Sequence, residues 1–177
     1  MEYIKIISQI FGILGLVFSA LSYQEKNNKR FFIEQALAGL MFFINFALIS
    51  AISAALFNLT NLVRGAVFSK KERNLWKLIT VAGLYTVCFV FSLSLIIDNS
   101  FQIFLSSFTY LTLEMMTVLM WIGNGKYIRY CQFFVSSPSW IFHNIFNFSL
   151  GGILCEIFMM ISVVISFIRY GKNGFEK

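Results

Sequence analysis

This sequence has one proline, one histidine and three cysteines in 177 residues, and charged side chains make up only 12% of it. Each scarcity excludes something. Cys88, Cys131 and Cys155 contain no CxxC pair, and each lies in an apolar stretch where a free thiol behaves as a small hydrophobe, so no disulfide framework is expected. A single histidine, His143, argues against a bis-histidine haem or a zinc site, and no cofactor or metal is expected. The charged share is about half that of a soluble domain. Hydrophobic residues reach 58%, with 22 Phe, and the mean hydropathy is +0.76. A soluble domain of this size cannot hide so much apolar surface. The long, nearly uncharged segments exclude disorder. The chain therefore reads as an all-α integral membrane protein whose first partner is the lipid bilayer.

A bilayer core takes about 20 apolar residues per helix. Seven segments meet this requirement: Tyr3–Tyr23, Phe31–Ile49, Ala51–Phe68, Leu75–Ile97, Phe101–Ile122, Ile128–Phe148 and Gly151–Tyr170. The second and third nearly fuse. As one helix, Phe31 to Phe68 would run about 57 Å, nearly twice the hydrocarbon thickness, so a tight hairpin near Ser50 is the better reading. The N-terminus has neither a basic n-region nor an A-x-A-like cleavage site, and it is read as a retained span.

The formal net charge of +6 follows from topology. Lys26, Lys29 and Arg30 lie between spans one and two. Lys70, Lys71, Arg73 and Lys77 lie around the entry to span four. Lys126 and Arg129 lie between spans five and six, and Arg169, Lys172 and Lys177 at or after the last. With Arg64 near the end of span three, every basic residue except Lys5 falls on one face. The loops near Ser50, Asp98–Ser100 and Ser149–Gly151 carry none. By the positive-inside rule the basic face is cytoplasmic, the N-terminus outside and the C-terminus inside. Nucleic-acid binding is not expected.

Spans two and three share features with spans six and seven. Each pair is entered by a basic turn. The first helix of each ends in an Asn followed five residues on by a Ser (Asn45 and Ser50; Asn144 and Ser149), and the second ends in an Arg (Arg64; Arg169). We expect one transmembrane domain of two parallel three-helix repeats, residues 3–69 and 101–170, joined by a linker helix over 75–97. The odd linker restores the orientation that three spans reverse, and parallel repeats are one way transporters build a site at a repeat interface.

Several faces carry polar groups. Ser8, Gly12, Gly15, Ser19 and Ser22 form a small-residue stripe suited to close helix packing, or to one bundle rocking on another. Ala54, Asn58, Asn61 and Gly65 share a face of span three; the amides serve either as interhelical links or as donors and acceptors for a neutral solute. Ser107, Tyr110, Glu114 and Thr117 share a face of span five. Glu114, the most central acid, is read as a salt bridge to a base such as Arg64, as a coupling residue or as snorkelling to the interface. Span six carries Ser136, Trp140, His143 and Asn147, with Asn144 beside them. Trp140 suits either a ring- or sugar-stacking role or the aromatic belt, and His143 either a structural donor or a pH-sensitive group. Pro138 frees a carbonyl near Phe134, which membranes tolerate where the freed group lines a cavity. Gly151-Gly152 read as a tight turn or part of an outer gate, and Glu156 as interfacial.

The segment Trp140-Ile141-Phe142-His143-Asn144, followed by Gly151-Gly152, Glu156 and Arg169, resembles the YgjV-like family of bacterial inner-membrane proteins. The Asn58–Arg64 segment and the basic first loop fit as well. That family is distantly similar to the SWEET and PQ-loop transporters, with their three-one-three layout and external N-terminus. The resemblance implies facilitated passage of a small neutral solute through a central pocket, with an Asn on the third helix of each repeat. Asn58 or Asn61 matches in the first repeat, but the second offers only Ser162 and Ser166. The Pro-Gln motif is absent, since Ser139 follows Pro138. Vitamin transporters of the nicotinamide-riboside type share the layout.

The leading expectation is a small-solute transporter working by alternating access. Asn58, Asn61, Trp140 and Asn144 are its pocket residues, and Glu114, His143 and Pro138 its candidates for coupling or gating. A non-transporting scaffold or assembly factor is the alternative, burying the same polar groups for packing. An enzyme is not expected, because no nucleophile elbow or second base accompanies His143. The sequence does not specify an oligomeric state.

Overall fold

The structure, a computed structural model, describes residues 2–70, 72–95, 100–146 and 150–171. The described residues contain helices and no strand: α1 (Glu2–Ser22), α2 (Asn28–Leu48), α3 (Ile52–Phe68), α4 (Leu75–Leu95), α5 (Ser100–Ile122), α6 (Gly125–Cys131), a π-helical turn (Gln132–Ser136), α7 (Ser137–Phe146) and α8 (Leu150–Tyr170). Because α6, the π turn and α7 run on without a break, the described residues form seven rods. Asn147, Ser149, Lys71, Lys172, Lys177 and the Asp98 loop lie outside the described residues.

Five helices, α1, α2, α4, α5 and α8, are long and apolar enough to cross a membrane. Helix α3 has 17 residues and so reaches about 26 Å, slightly less than a typical hydrocarbon core. The hairpin between α2 and α3 forms where expected. Ile49 and Ser50 make the turn, with Ser50 at a left-handed φ of 60°.

Lipid offers little hydrophobic drive for one helix to leave it for another, so close packing of small residues must hold the bundle. Helix α2 packs on α1 and α3, α4 bridges α3 and α5, α7 packs on α5 and α8, and α8 returns to α1. The α2–α3 crossing is the tightest. A Cβ on Gly39 would stand 2.6 Å from the Leu62 nitrogen, and one on Gly65 would stand 2.7 Å from the Phe32 carbonyl oxygen. Gly65 thus belongs to the packing face of α3, while Asn61 and Arg64 turn the other way. The stripe on α1 does face a neighbour. Gly12 sits under the Asn45 amide, Gly15 lies against the Phe42 ring, and Asn45 Nδ2 donates to the Ser8 carbonyl at 2.6 Å. Outward faces remain apolar and exposed, among them Ile6, Ile10, Val87, Val90, Ile161 and Ile168, and these are the surfaces that meet lipid.

The two turns that enter α2 and α6 share one device. Asn27 caps α2 by accepting from the backbone N–H groups of Lys29 and Arg30, and Asn124 caps α6 by accepting from Lys126 and Tyr127. This is ordinary N-cap chemistry, which satisfies donors that have no intrahelical partner. The turns also touch each other, since Asn28 Nδ2 donates to the Gly123 carbonyl at 3.1 Å. Arg129, buried beneath them, donates to the carbonyls of Tyr23, Gly125 and Glu25 and to the Ser166 hydroxyl. A chain of buried rings, Tyr23, Phe31, Phe32 and Phe68, closes this end of the bundle with centroids 5.2–6.1 Å apart.

Two local expectations are corrected. Gly151 and Gly152 do not make a turn; both lie in the first turns of α8. Gly152 is needed for proximity instead, because a Cβ there would fall 2.5 Å from Cγ of Asn144. Pro138 does not open a carbonyl onto a cavity. It is exposed and follows the π turn, where the Ser137 N–H reaches back to the Gln132 carbonyl. The widened turn accommodates a residue that lacks an N–H and crowds the preceding turn.

Candidate functional site

A cavity of about 560 Å³ runs through the middle of the bundle. Helices α1, α2 and α3 supply one side and α5, the π turn, α7 and α8 the other. All four expected pocket residues, Asn58, Asn61, Trp140 and Asn144, line it. Glu114, His143 and Pro138 do not.

On the α3 wall the amides are joined to one another. Asn58 Nδ2 donates to the Ala54 carbonyl at 2.9 Å, and Asn61 Nδ2 donates to Asn58 Oδ1 at 3.2 Å. Asn61 Oδ1 accepts the hydroxyl of Tyr85 from α4. These bonds fix both amides and occupy each oxygen at least once. Arg64 follows one turn further along the same wall. It is 5% exposed, donates from Nη1 to Thr117 Oγ1 at 3.3 Å and lies 5.5 Å over the Tyr85 ring.

On the facing wall the π turn brings Gln132 and Ser136 onto the lining, one turn before Trp140 and Asn144. Gln132 Oε1 accepts from the Tyr23 hydroxyl at 2.6 Å, and its Nε2 donates to Ser137 Oγ at 2.9 Å. Glu156 is not exposed at the end of the bundle. It is 7% exposed and lines the cavity, and its Oε2 is buried without a partner. The π turn breaks the α-helical period through residues 132–136, and Gln132 is a lining residue that the sequence pattern did not single out.

The residues off the cavity have other neighbours. Glu114 is half-buried, with Oε1 buried and unpartnered. Of the readings open for Glu114, the ion pair with Arg64 does not form; the sole salt bridge among the described residues is Lys77–Glu72. Tyr110 faces α4, stacking on Phe89 at 4.4 Å and sharing a 2.9 Å hydrogen bond with Thr86. The His143 ring meets the Trp140 ring edge to face at 5.5 Å, so it buttresses the cavity wall from behind. Ser162 and Ser166 do not face the cavity either. Ser162 accepts from Gln24, and Ser166 from Arg129.

A second concavity, about 720 Å³, opens on the basic end of the bundle, between Lys26, Lys29, Lys70 and Arg73, with Glu72 at its rim. Met120 lines both spaces. No group of three or more His, Cys, Asp or Glu suited to a metal occurs among the described residues.

The chain belongs to the Imp-YgjV family of bacterial inner membrane proteins, whose model matches residues 6–174. No curated protein and no solved structure matches it.

Proposed function

For this member of a bacterial inner-membrane family, we propose a small-solute transporter that works by alternating access around the central cavity. The observation that carries the reading is the cavity itself. Its volume of about 560 Å³ falls in the range of small-molecule sites, about 300–1,000 Å³. Its walls mix apolar surface with a few fixed polar groups, and Trp140 offers a flat face for a ring or sugar. The polar side chains come from helices on both sides, so relative movement of the two sides would alter access to all of them.

We read the architecture as two three-helix repeats, 3–69 and 101–170, with α4 as linker. The matching Asn27 and Asn124 caps support this, as does the position of α4 between α3 and α5. The basic turns are assigned to the cytoplasm, with the N-terminus outside. No catalytic role is proposed.

The internal bonds of Asn58 and Asn61 favour a second reading, a scaffold in which these amides only hold helices together. Solute entry into proteoliposomes separates the two. Under the transporter reading, Trp140→Ala abolishes entry of a solute that the wild type admits, with insertion and folding unchanged. Equal entry with both proteins, or none above protein-free liposomes for a broad panel of sugars, nucleosides, vitamins and organic acids, favours the scaffold.

A further inference from the structure

The bundle buries two arginines, and they are treated in opposite ways. Arg129 is 2% exposed, and its guanidinium makes five hydrogen bonds to carbonyl and hydroxyl oxygens. Every nitrogen of its fork has an acceptor. Arg64 is 5% exposed and makes one hydrogen bond, to Thr117. No carboxylate among the described residues lies within 4.0 Å of it. A guanidinium withdrawn from water without a counter-charge is costly, and a carboxylate or phosphate in bidentate contact is the partner its geometry fits. Arg64 lines the central cavity, so its remaining donors have somewhere to act.

Three further observations point the same way. The Asn61 and Asn58 oxygens already accept from Tyr85 and from Asn61, so the wall beside Arg64 has N–H groups left to offer. The one acid on the cavity lining, Glu156, makes no ion pair with Arg64, so it does not supply the missing counter-charge. Finally, the concavity at the basic end carries four bases against one acid and shares the lining residue Met120 with the central cavity. A cleft with an excess of one charge concentrates the opposite ion.

We propose that Arg64 is the anchor of an oxyanion subsite, and that the solute carries a carboxylate or phosphate at one end. The group docks on the Arg64 fork beside the Asn61 amide, while the rest of the solute lies toward Trp140 and Asn144. The groove of Lys26, Lys29, Lys70 and Arg73 is the vestibule on the basic side, and Met120 stands at the passage between them. This rests on the transporter reading of the same cavity and replaces a wholly neutral solute with an anionic one.

The test compares probes that share a ring and differ in charge. Thermal unfolding of the detergent-purified full chain is followed against sodium benzoate, benzamide and inorganic phosphate, in wild type, Arg64→Met and Arg64→Gln. The expected result is a dose-dependent rise in Tm with benzoate or phosphate, little with benzamide, and a response at least about tenfold weaker in concentration for both variants. Without probes, Arg64→Met should unfold no lower than the wild type, because removing a buried unpaired charge relieves a cost. A response to phosphate over benzoate assigns a phosphorylated solute, and the reverse a carboxylate. Equal responses to benzoate and benzamide that persist in Arg64→Met overturn the subsite while leaving a solute-binding cavity. No response to any probe, with Arg64→Met markedly less stable than the wild type, makes Arg64 a structural link and overturns the proposal. Neutral sugars and nucleosides, tested on the same samples, then decide separately whether the cavity reading survives.

Discussion

Tyr85 on α4 donates its hydroxyl to Oδ1 of Asn61 on α3, and so holds a cavity-lining amide in place. Tyr85 is fully buried. Truncating Asn61 to Ala leaves that hydroxyl unsatisfied, a loss of about 1–3 kcal/mol. Adding Tyr85→Phe removes the stranded group, so the double variant should be no less stable than Asn61→Ala alone. Thermal unfolding of the four proteins in detergent measures this coupling. Strict additivity of the two losses would show that the bond contributes nothing.

The α2–α3 crossing depends on two missing side chains. At Gly65 an added Cβ meets α2 backbone at 2.7 Å, whereas at Gly83 nothing lies within 4 Å. Gly65→Leu should therefore destroy the fold or lower the yield of folded protein severely, since backbone cannot give way as a side chain does. Gly83→Leu should fold normally and gain up to about 1 kcal/mol from helix propensity. Size-exclusion profiles of the two variants in the same detergent check the contrast.

Much of this was legible in the sequence. The hydrophobic runs gave the rods, the excess length of Phe31–Phe68 gave the Ser50 hairpin, and the polar face of α3 gave Asn58 and Asn61. In span six one periodicity was carried through a break. The π turn at Gln132–Ser136 shifts the angular phase of α7, so Gln132 joins Trp140 and Asn144 on the cavity while His143 rotates behind it. Glu156 looked interfacial because it follows two glycines that resemble a turn. Those glycines continue a helix, and the acid is carried inward. The Arg64–Glu114 pair failed for another reason, because charge complementarity on neighbouring spans does not fix the direction in which either side chain points.

Gly152 couples packing to the site. A Cβ there would overlap the Asn144 amide at 2.5 Å, the flexible end of a side chain. Gly152→Ala should fold, with a loss of about 1–3 kcal/mol, but displace Asn144. The expected signature is weakened solute binding out of proportion to the loss of stability, read by comparing ligand-induced Tm shifts with the ligand-free Tm. Full retention of binding would remove Asn144 from the pocket.

Arg129 should behave as a structural cation. Arg129→Met strands the carbonyls of Tyr23 and Glu25 and unties the α1–α2 turn from α6 and α8. A loss of about 3–5 kcal/mol is expected, because one partner of a buried charged network is removed. Hydrogen exchange at residues 23–27 should rise in this variant and stay unchanged in Arg64→Met. Equal exchange in the two would contradict the division of labour between the arginines.

The central claim, a cavity reached alternately from the two sides of the membrane, is tested most directly by a cysteine placed on its wall. Ser136→Cys, in a chain with Cys88, Cys131 and Cys155 changed to Ser, puts one thiol on the π-turn lining with minimal change of shape. A membrane-impermeant thiosulfonate is applied to right-side-out and to inverted vesicles. The account predicts modification from both sides, at rates that move in opposite directions when a bound solute biases the equilibrium. Modification from neither side, with full labelling after unfolding, would contradict it and leave the cavity a sealed packing space.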